Sequence, residues 1–305
     1  MKQQPGARKA VATEGVKMTK KTKRSPREPV PSGRLTDFEG ETCYRIETFD
    51  RLPAFLMSVA TDSDVWMYVS SHGGLSAGRQ RSDHSLFPYE TVDKLHDAHH
   101  HSGPLTMLRV QEADGSEVLW QPFTEGATED PNIERTLYKN ATGNRLIFQE
   151  THNGLGLVFR YRWSASDALG LVRTVSVTCL GTSRRTLRVL DGMRNILPYG
   201  TPLALQQSSS SLVDAYKRVD VEPHTRMAVF SLTSKILDRA EAAEVLRANV
   251  VWCHGLNEFK VCISQKAVAA FRHGKPLPHD AVLKGQRGKY LIEAPLTLEP
   301  GVTSR

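Results

Sequence analysis

From Leu155 to Trp163 the chain alternates: Leu157, Phe159, Tyr161 and Trp163 fall on one side, Val158, Arg160 and Arg162 on the other. Successive side chains of a strand point to opposite faces, so this spacing predicts a strand with one face in a core and one polar face. The same period recurs at residues 44–49, 65–70, 106–111, 117–121, 132–139, 145–151, 170–180, 184–191, 227–234, 249–254 and 259–264. Short polar turns separate these runs. Asn153-Gly154 reads as a hairpin, because both residues accept the positive φ of a tight turn. So many alternating runs in 305 residues, with few helix signals, predict a mainly β fold: a large antiparallel β-sandwich with a few short helices.

The helix signals are brief. Residues 264–274 carry Ala267, Val268 and Phe271 on one stripe with Gly274 as a stop. Residues 240–248 (AEAAEVLRA) have good helix propensity. Residues 203–216 contain four serines in a row, poor helix formers, and suit either a helix or a loop and strand. Trp66, Trp120, Trp163 and Trp252 all lie in strand-like runs and are expected in the core.

Charge divides the chain in two. The net charge is +7, but residues 1–34 hold ten Lys/Arg against two acids, leaving 30 against 31 in the rest. This tail lacks aromatic residues and is broken by Pro5, Pro26, Pro29 and Pro31, so it is read as disordered, with residues 35–305 as the sandwich domain. A neutral folded part and a tail without base-stacking rings argue against nucleic acid as partner. The four cysteines are widely spaced and form no C-x-x-C pair, which fits a reducing compartment. There is no run of about 18 apolar residues and no apolar N-terminal segment, so a soluble cytoplasmic protein without a membrane partner is expected.

The stretch from Asp64 to Tyr89 (DVWMYVSSHGGLSAGRQRSDHSLFPY) stands apart from ordinary strand and turn. A strand at residues 65–69 leads into glycines, hydroxyls and the charged group Arg79, Arg81, Asp83 and His84, closing on Tyr89. It reads as a strand delivering a polar, aromatic-edged loop to the rim of a sheet; the bland alternative is a β-turn with a solvated arginine face. The histidines His96, His99, His100 and His101 invite a metal reading, since His96 and His100 would share a face if residues 94–101 were helical. No acid or cysteine follows at a ligand spacing, and Ser102-Gly103-Pro104 ends any helix, so an exposed polar loop is expected and no metal. No phosphate-binding glycine loop occurs, and no cofactor and no catalytic residue is assigned. Asp64, Asp83, Glu150 and Asp191 cannot be paired from sequence, because the role of a carboxylate pair depends on separation in space.

Trp66 to Ser71, followed by Gly73-Gly74-x-Ser76, Ala77-Gly78-Arg79-x-Arg81 and Leu86-Phe87-Pro88-Tyr89, resembles the N-terminal β-sandwich of cellobiose-phosphorylase-like proteins, glycoside hydrolase family 94. The segments from Arg173 to Thr178 and Arg188 to Asp191 resemble that domain's central strands, and Ala294 to Gly301 its last strand. The resemblance implies a super-sandwich, a carbohydrate ligand (oligosaccharide or sugar phosphate), a possible homodimer and a downstream catalytic (α/α)6 barrel that carries the catalytic acid. On this reading Arg79, Arg81, Asp83 and His84 bind or orient sugar hydroxyls or phosphate and Tyr89 stacks on a ring. A stand-alone, non-catalytic glycan-binding or interaction module is the alternative.

Overall fold

The computed structural model describes residues 30–236 and 247–305. Most of the stretch read as a tail, and nearly all of the helix expected at 240–248, lie outside the described residues. Four antiparallel sheets make the fold mainly β and sandwich-like, as the alternation predicts. The largest runs in the order β1 (Ser32–Phe38), β2 (Glu41–Glu47), β8 (Ile133–Asn140), β9 (Leu146–His152), β10 (Leu157–Ser166), β11 (Gly170–Cys179) and β19 (Thr303–Ser304). A five-stranded sheet has the order β16 (Lys260–Cys262), β18 (Lys289–Leu298), β12 (Arg185–Arg194), β6 (Gly103–Gln111) and β7 (Glu117–Trp120). The other two sheets are β15 (Asn249–Val251), β14 (Ala228–Leu232), β13 (Lys217–Val221), β17 (Val282–Lys284), and β3 (Leu56–Val59), β4 (Val65–Ser70), β5 (Leu75–Arg79). Strand structure thus begins at Ser32, inside the stretch read as tail, where β1 pairs along its whole length with β2.

One core is shared by all four sheets. Leu157, Phe159, Tyr161 and Trp163 of β10 are all buried, and with Phe148 of β9 they meet Met67 and Val69 of β4, Leu108 of β6, Leu187 of β12 and Phe230 of β14. Burying side chains of this size stabilises the fold by about 1.5–3 kcal/mol each. A second layer lies outside the five-stranded sheet. It is formed by α4 (Gln265–Arg272); the other helices are α1 (Val92–Asp97), α2 (Leu203–Ser208) and α3 (Ser210–Tyr216). Ala267, Val268 and Phe271 of α4, the expected stripe, cover Met107, Leu190, Cys262 and Leu291. A third, small cluster joins Cys43, Tyr138 and Ile147 on the outer face of the seven-stranded sheet. All four cysteines are free thiols, three of them buried, with Cys179 in the main core.

Several local expectations are corrected. The stretch from Ser70 to Arg79 is not a loop but a turn and a second strand: β5 pairs back on β4, burying Leu75 and Ala77. Small residues hid the period there. Gly78 lies opposite Trp66, and a Cβ on it would come within 2.5 Å of the indole, so the strand needs glycine to seat the ring. At the β9–β10 turn the positive φ falls on Gly156 (63°) rather than on Asn153-Gly154. The serine run forms two short helices broken at Ser209. Trp120 and Trp163 are buried, whereas Trp252 is 47% exposed, because β15 ends before it. No helix among the described residues is long and apolar enough to cross a membrane.

A buried lysine gives the fold a measurable pH dependence. Lys289 of β18 is buried beside Arg194 and Arg287, and burial together with these cations pushes its ammonium down to about 8 from 10.5. The unfolded chain then binds more protons than the folded one between these values, so this residue makes stability rise with pH across that window. Lys289→Met is expected to raise stability by roughly 2 kcal/mol at pH 7, with the gain vanishing above about pH 10.5. Urea unfolding of both proteins from pH 7 to 10.5 checks this; a gain that does not change with pH would refute it.

Candidate functional site

Among the described residues, two clefts gather polar side chains. The first forms where β4 and β5 reach their open end. Asp64 immediately precedes β4, and Arg79 ends β5 opposite Val65, so the register brings the two together. Arg79 Nη1 donates to Asp64 Oδ1 at 2.6 Å. Gln80 takes a left-handed turn (φ 56°) into a 3₁₀ turn at Ser82–His84. Asp83 Oδ1 accepts the backbone N–H of Leu203 at the start of α2 (3.0 Å), and the His84 ring stacks on Tyr199 (5.8 Å between centroids). From the far side Arg247 Nη1 donates to Tyr199 Oη at 2.7 Å, with its guanidinium 5.3 Å from the centre of that ring. Asn249 completes the wall, and the cleft holds about 210 Å³.

Of the five residues expected to touch sugar, Arg79, Asp83 and His84 line this cleft. Arg81 and Tyr89 do not. Arg81 is exposed and 3.9 Å from Asp83. Tyr89 packs edge-on against Trp66 at 5.7 Å, and its N–H donates to Gln206 Oε1. Tyr199, Arg247 and Asn249 were not foreseen; they lie more than a hundred residues away and carry no motif.

The second cleft, about 300 Å³, has a wall of Phe123, Phe159 and Tyr161. Arg173 Nη1 donates to Asp191 Oδ2 (2.8 Å), and Thr106 donates to the other oxygen of that carboxylate. The Arg173 guanidinium sits 4.9 Å from the centre of the Tyr161 ring, whose buried phenol has its pKa pushed upward by desolvation. Phe123 has φ 61°, a left-handed conformation that a bulky residue adopts only when its surroundings enforce it. The enforcing group is Glu150, fully buried, which accepts from Phe123 N (2.7 Å), Trp120 Nε1 (2.8 Å) and Arg135 Nε (2.7 Å).

The mouth of this cleft is lined by His72, His99, His100 and Glu125. Here α1 stops at Asp97 and a 3₁₀ turn follows, so His96 and His100 do not share a helical face. His96 turns instead to Ser70, its Nδ1 2.8 Å from Oγ. His99, with its pKa pushed down mainly by burial, has Nδ1 2.9 Å from the His96 carbonyl and Nε2 3.1 Å from Glu125 Oε1. Gly74 permits this approach: a Cβ there would be 2.0 Å from the Leu95 carbonyl oxygen. Arg194 clamps the turn from the other side, donating to the carbonyls of His99, His100 and Pro104.

Fold and clefts together define a mainly β protein with two polar clefts and no assigned catalytic group. No protein-family model matches the chain, and no curated protein matches it.

Proposed function

We propose that this chain is the β-sandwich domain of a carbohydrate-active protein of the glycoside hydrolase family 94 type, and that it binds a saccharide in the Arg79–Tyr199 cleft. The observation that carries this reading is the convergence of planar polar groups on one aromatic pair. Asp64, Arg79, Asp83, Arg247 and Asn249, from separate stretches of chain, surround His84 and Tyr199. Sugar rings present adjacent hydroxyls that donate and accept at once, and carboxylate, guanidinium and amide groups match them in pairs. An aromatic ring supplies the apolar face that the C–H side of a sugar covers. A volume of about 210 Å³ suits a single ring held at the surface, with the rest of a chain in solvent.

In this reading Arg79 and Asp83 bind hydroxyls, His84 and Tyr199 hold the ring, and the catalytic acid belongs to the barrel that the resemblance implies. Calorimetric titration with a panel of gluco- and manno-oligosaccharides tests it. Arg79→Ala and Tyr199→Ala are each expected to weaken binding about 10- to 100-fold, the loss of a charged hydrogen bond or a stacking face. The Arg79–Asp64 pair is exposed, so Arg79→Ala should change stability by under about 1 kcal/mol. Binding of no saccharide, or binding indifferent to both substitutions, would refute the proposal.

A further inference from the structure

We propose that His72, His99 and Glu125 form a three-ligand site for a divalent first-row transition ion, zinc foremost, at the mouth of the larger cleft. Each residue places one donor atom within 4.8 Å of the other two. Two imidazoles and a carboxylate form a donor set that zinc accepts, leaving a fourth position for water or an oxygen ligand. The three residues line the same cleft as Tyr161, Phe123 and Arg173.

The hydrogen bonds around the trio prepare it for a cation. A carbonyl oxygen only accepts, so the contact at His99 Nδ1 fixes the proton on that nitrogen and leaves the Nε2 lone pair toward Glu125. Nε2 and a carboxylate oxygen, both acceptors in the neutral imidazole, then face each other at 3.1 Å, with His100 Nε2 3.5 Å from the same oxygen. A cation between them resolves the opposition. A second imidazole nitrogen bonded to a backbone carbonyl is also the usual way in which a metal-ligating histidine is oriented.

Each ligand is held by its own device. The clamp of Arg194 on the carbonyls of the 3₁₀ turn fixes His99. The N–H of His72 donates to Ser70 Oγ at 3.2 Å in the β4–β5 turn. Glu125 follows a segment pinned by Glu150 at Phe123 N and by Arg135 at the Thr124 carbonyl (2.7 Å). Tetrahedral donors about 2.1 Å from zinc lie ~3.4 Å apart, so the exposed His72 and Glu125 have only to turn inward. A second trio, Cys262, His279 and Glu293, is less suited, because Arg188 Nη2 already neutralises Glu293 at 2.7 Å.

The test uses the full chain without an affinity tag, stripped with EDTA and titrated with zinc chloride, with bound metal counted by mass spectrometry after dialysis. One zinc per chain with a micromolar or tighter Kd is expected, and Co²⁺ in its place should give the visible absorption of a four-coordinate ion. His72→Ala and Glu125→Gln change exposed side chains and leave the fold intact by circular dichroism; each should weaken zinc at least tenfold, while Cys262→Ser leaves it unchanged. No retained zinc, zinc retained equally by both variants, or zinc lost only with Cys262→Ser would each overturn the proposal. The saccharide titration reads a separate cleft, so neither result decides the other.

Discussion

Glu150→Ala is expected to lower the unfolding free energy by about 3–5 kcal/mol, read as a shift of the urea midpoint at constant slope. Glu150 is fully buried and is the shared acceptor for Trp120, Phe123 and Arg135. Its removal leaves the Arg135 guanidinium in the interior with Asp50, 3.6 Å away, as its remaining counter-charge among the described residues. Two N–H donors lose their partner at the same time, and unsatisfied buried donors cost about 1–3 kcal/mol each. Asp50 relieves part of the charge, which places the expectation in the lower half of the range. The carboxylate also holds Phe123 in its left-handed conformation, so the variant should release the loop that carries Glu125 and weaken zinc binding as well. Glu150→Gln keeps acceptance at one oxygen and should lose less. Equal losses for the two variants would show that the charge does not matter.

Gly192→Ala is expected to cost about 3–4 kcal/mol, an effect out of proportion to one methyl group. A Cβ at this position would stand 2.0 Å from the carbonyl oxygen of Tyr290 and 2.9 Å from Leu291 Cα, on the neighbouring strand. These are backbone atoms of the ten-residue ladder between β12 and β18, and no side chain can swing away to make room. The strands would have to part next to Asp191, which anchors Arg173 and the floor of the larger cleft. Gly115→Ala is the control: its φ is also positive (85°), but nothing lies within 4 Å, so only the cost of the left-handed conformation, about 1–2 kcal/mol, applies. Thermal melts that show the same loss for both glycines would refute the steric account.

The fold was readable along most of the long strands, but not at β3, whose burial alternates over only four residues, nor along the first half of β18. Val65–Ser70 was located residue for residue, and the alternation of β10 coincides with four buried side chains in a row. Period failed where the side chains are too small to mark a face, as in β5, whose Ser76 and Gly78 are as buried as its apolar neighbours. It failed also at β17, three residues with one buried side chain, although the equally short β15 and β16 fall within the runs at 249–254 and 259–264. The clefts were less legible. Arg79, Asp83 and His84 lie near one another in sequence and meet in space, whereas Tyr199 and Arg247 reach them only through the packing of sheets. The histidines at 96 and 99–101 were expected to form an exposed polar loop without a metal, and the metal spacing weighed there joined His96 and His100. The proposed ligand set of His72, His99 and Glu125 spans three segments brought together by the β4–β5 turn, the Arg194 clamp and the Glu150 anchor, none of which has a sequence signature.

The four unpaired thiols have a kinetic consequence. Burial pushes Cys253 up to about 11 and Cys262 up to about 12, and raises Cys43 as well, so little thiolate exists at neutral pH. Alkylating reagents attack the thiolate, and reagent cannot reach a closed interior. Cys43, Cys179 and Cys262 sit in three different apolar layers. Modification of each therefore waits on the opening of its own layer, which makes the three sulfurs built-in clocks for local unfolding on the two faces of the sandwich and in its centre.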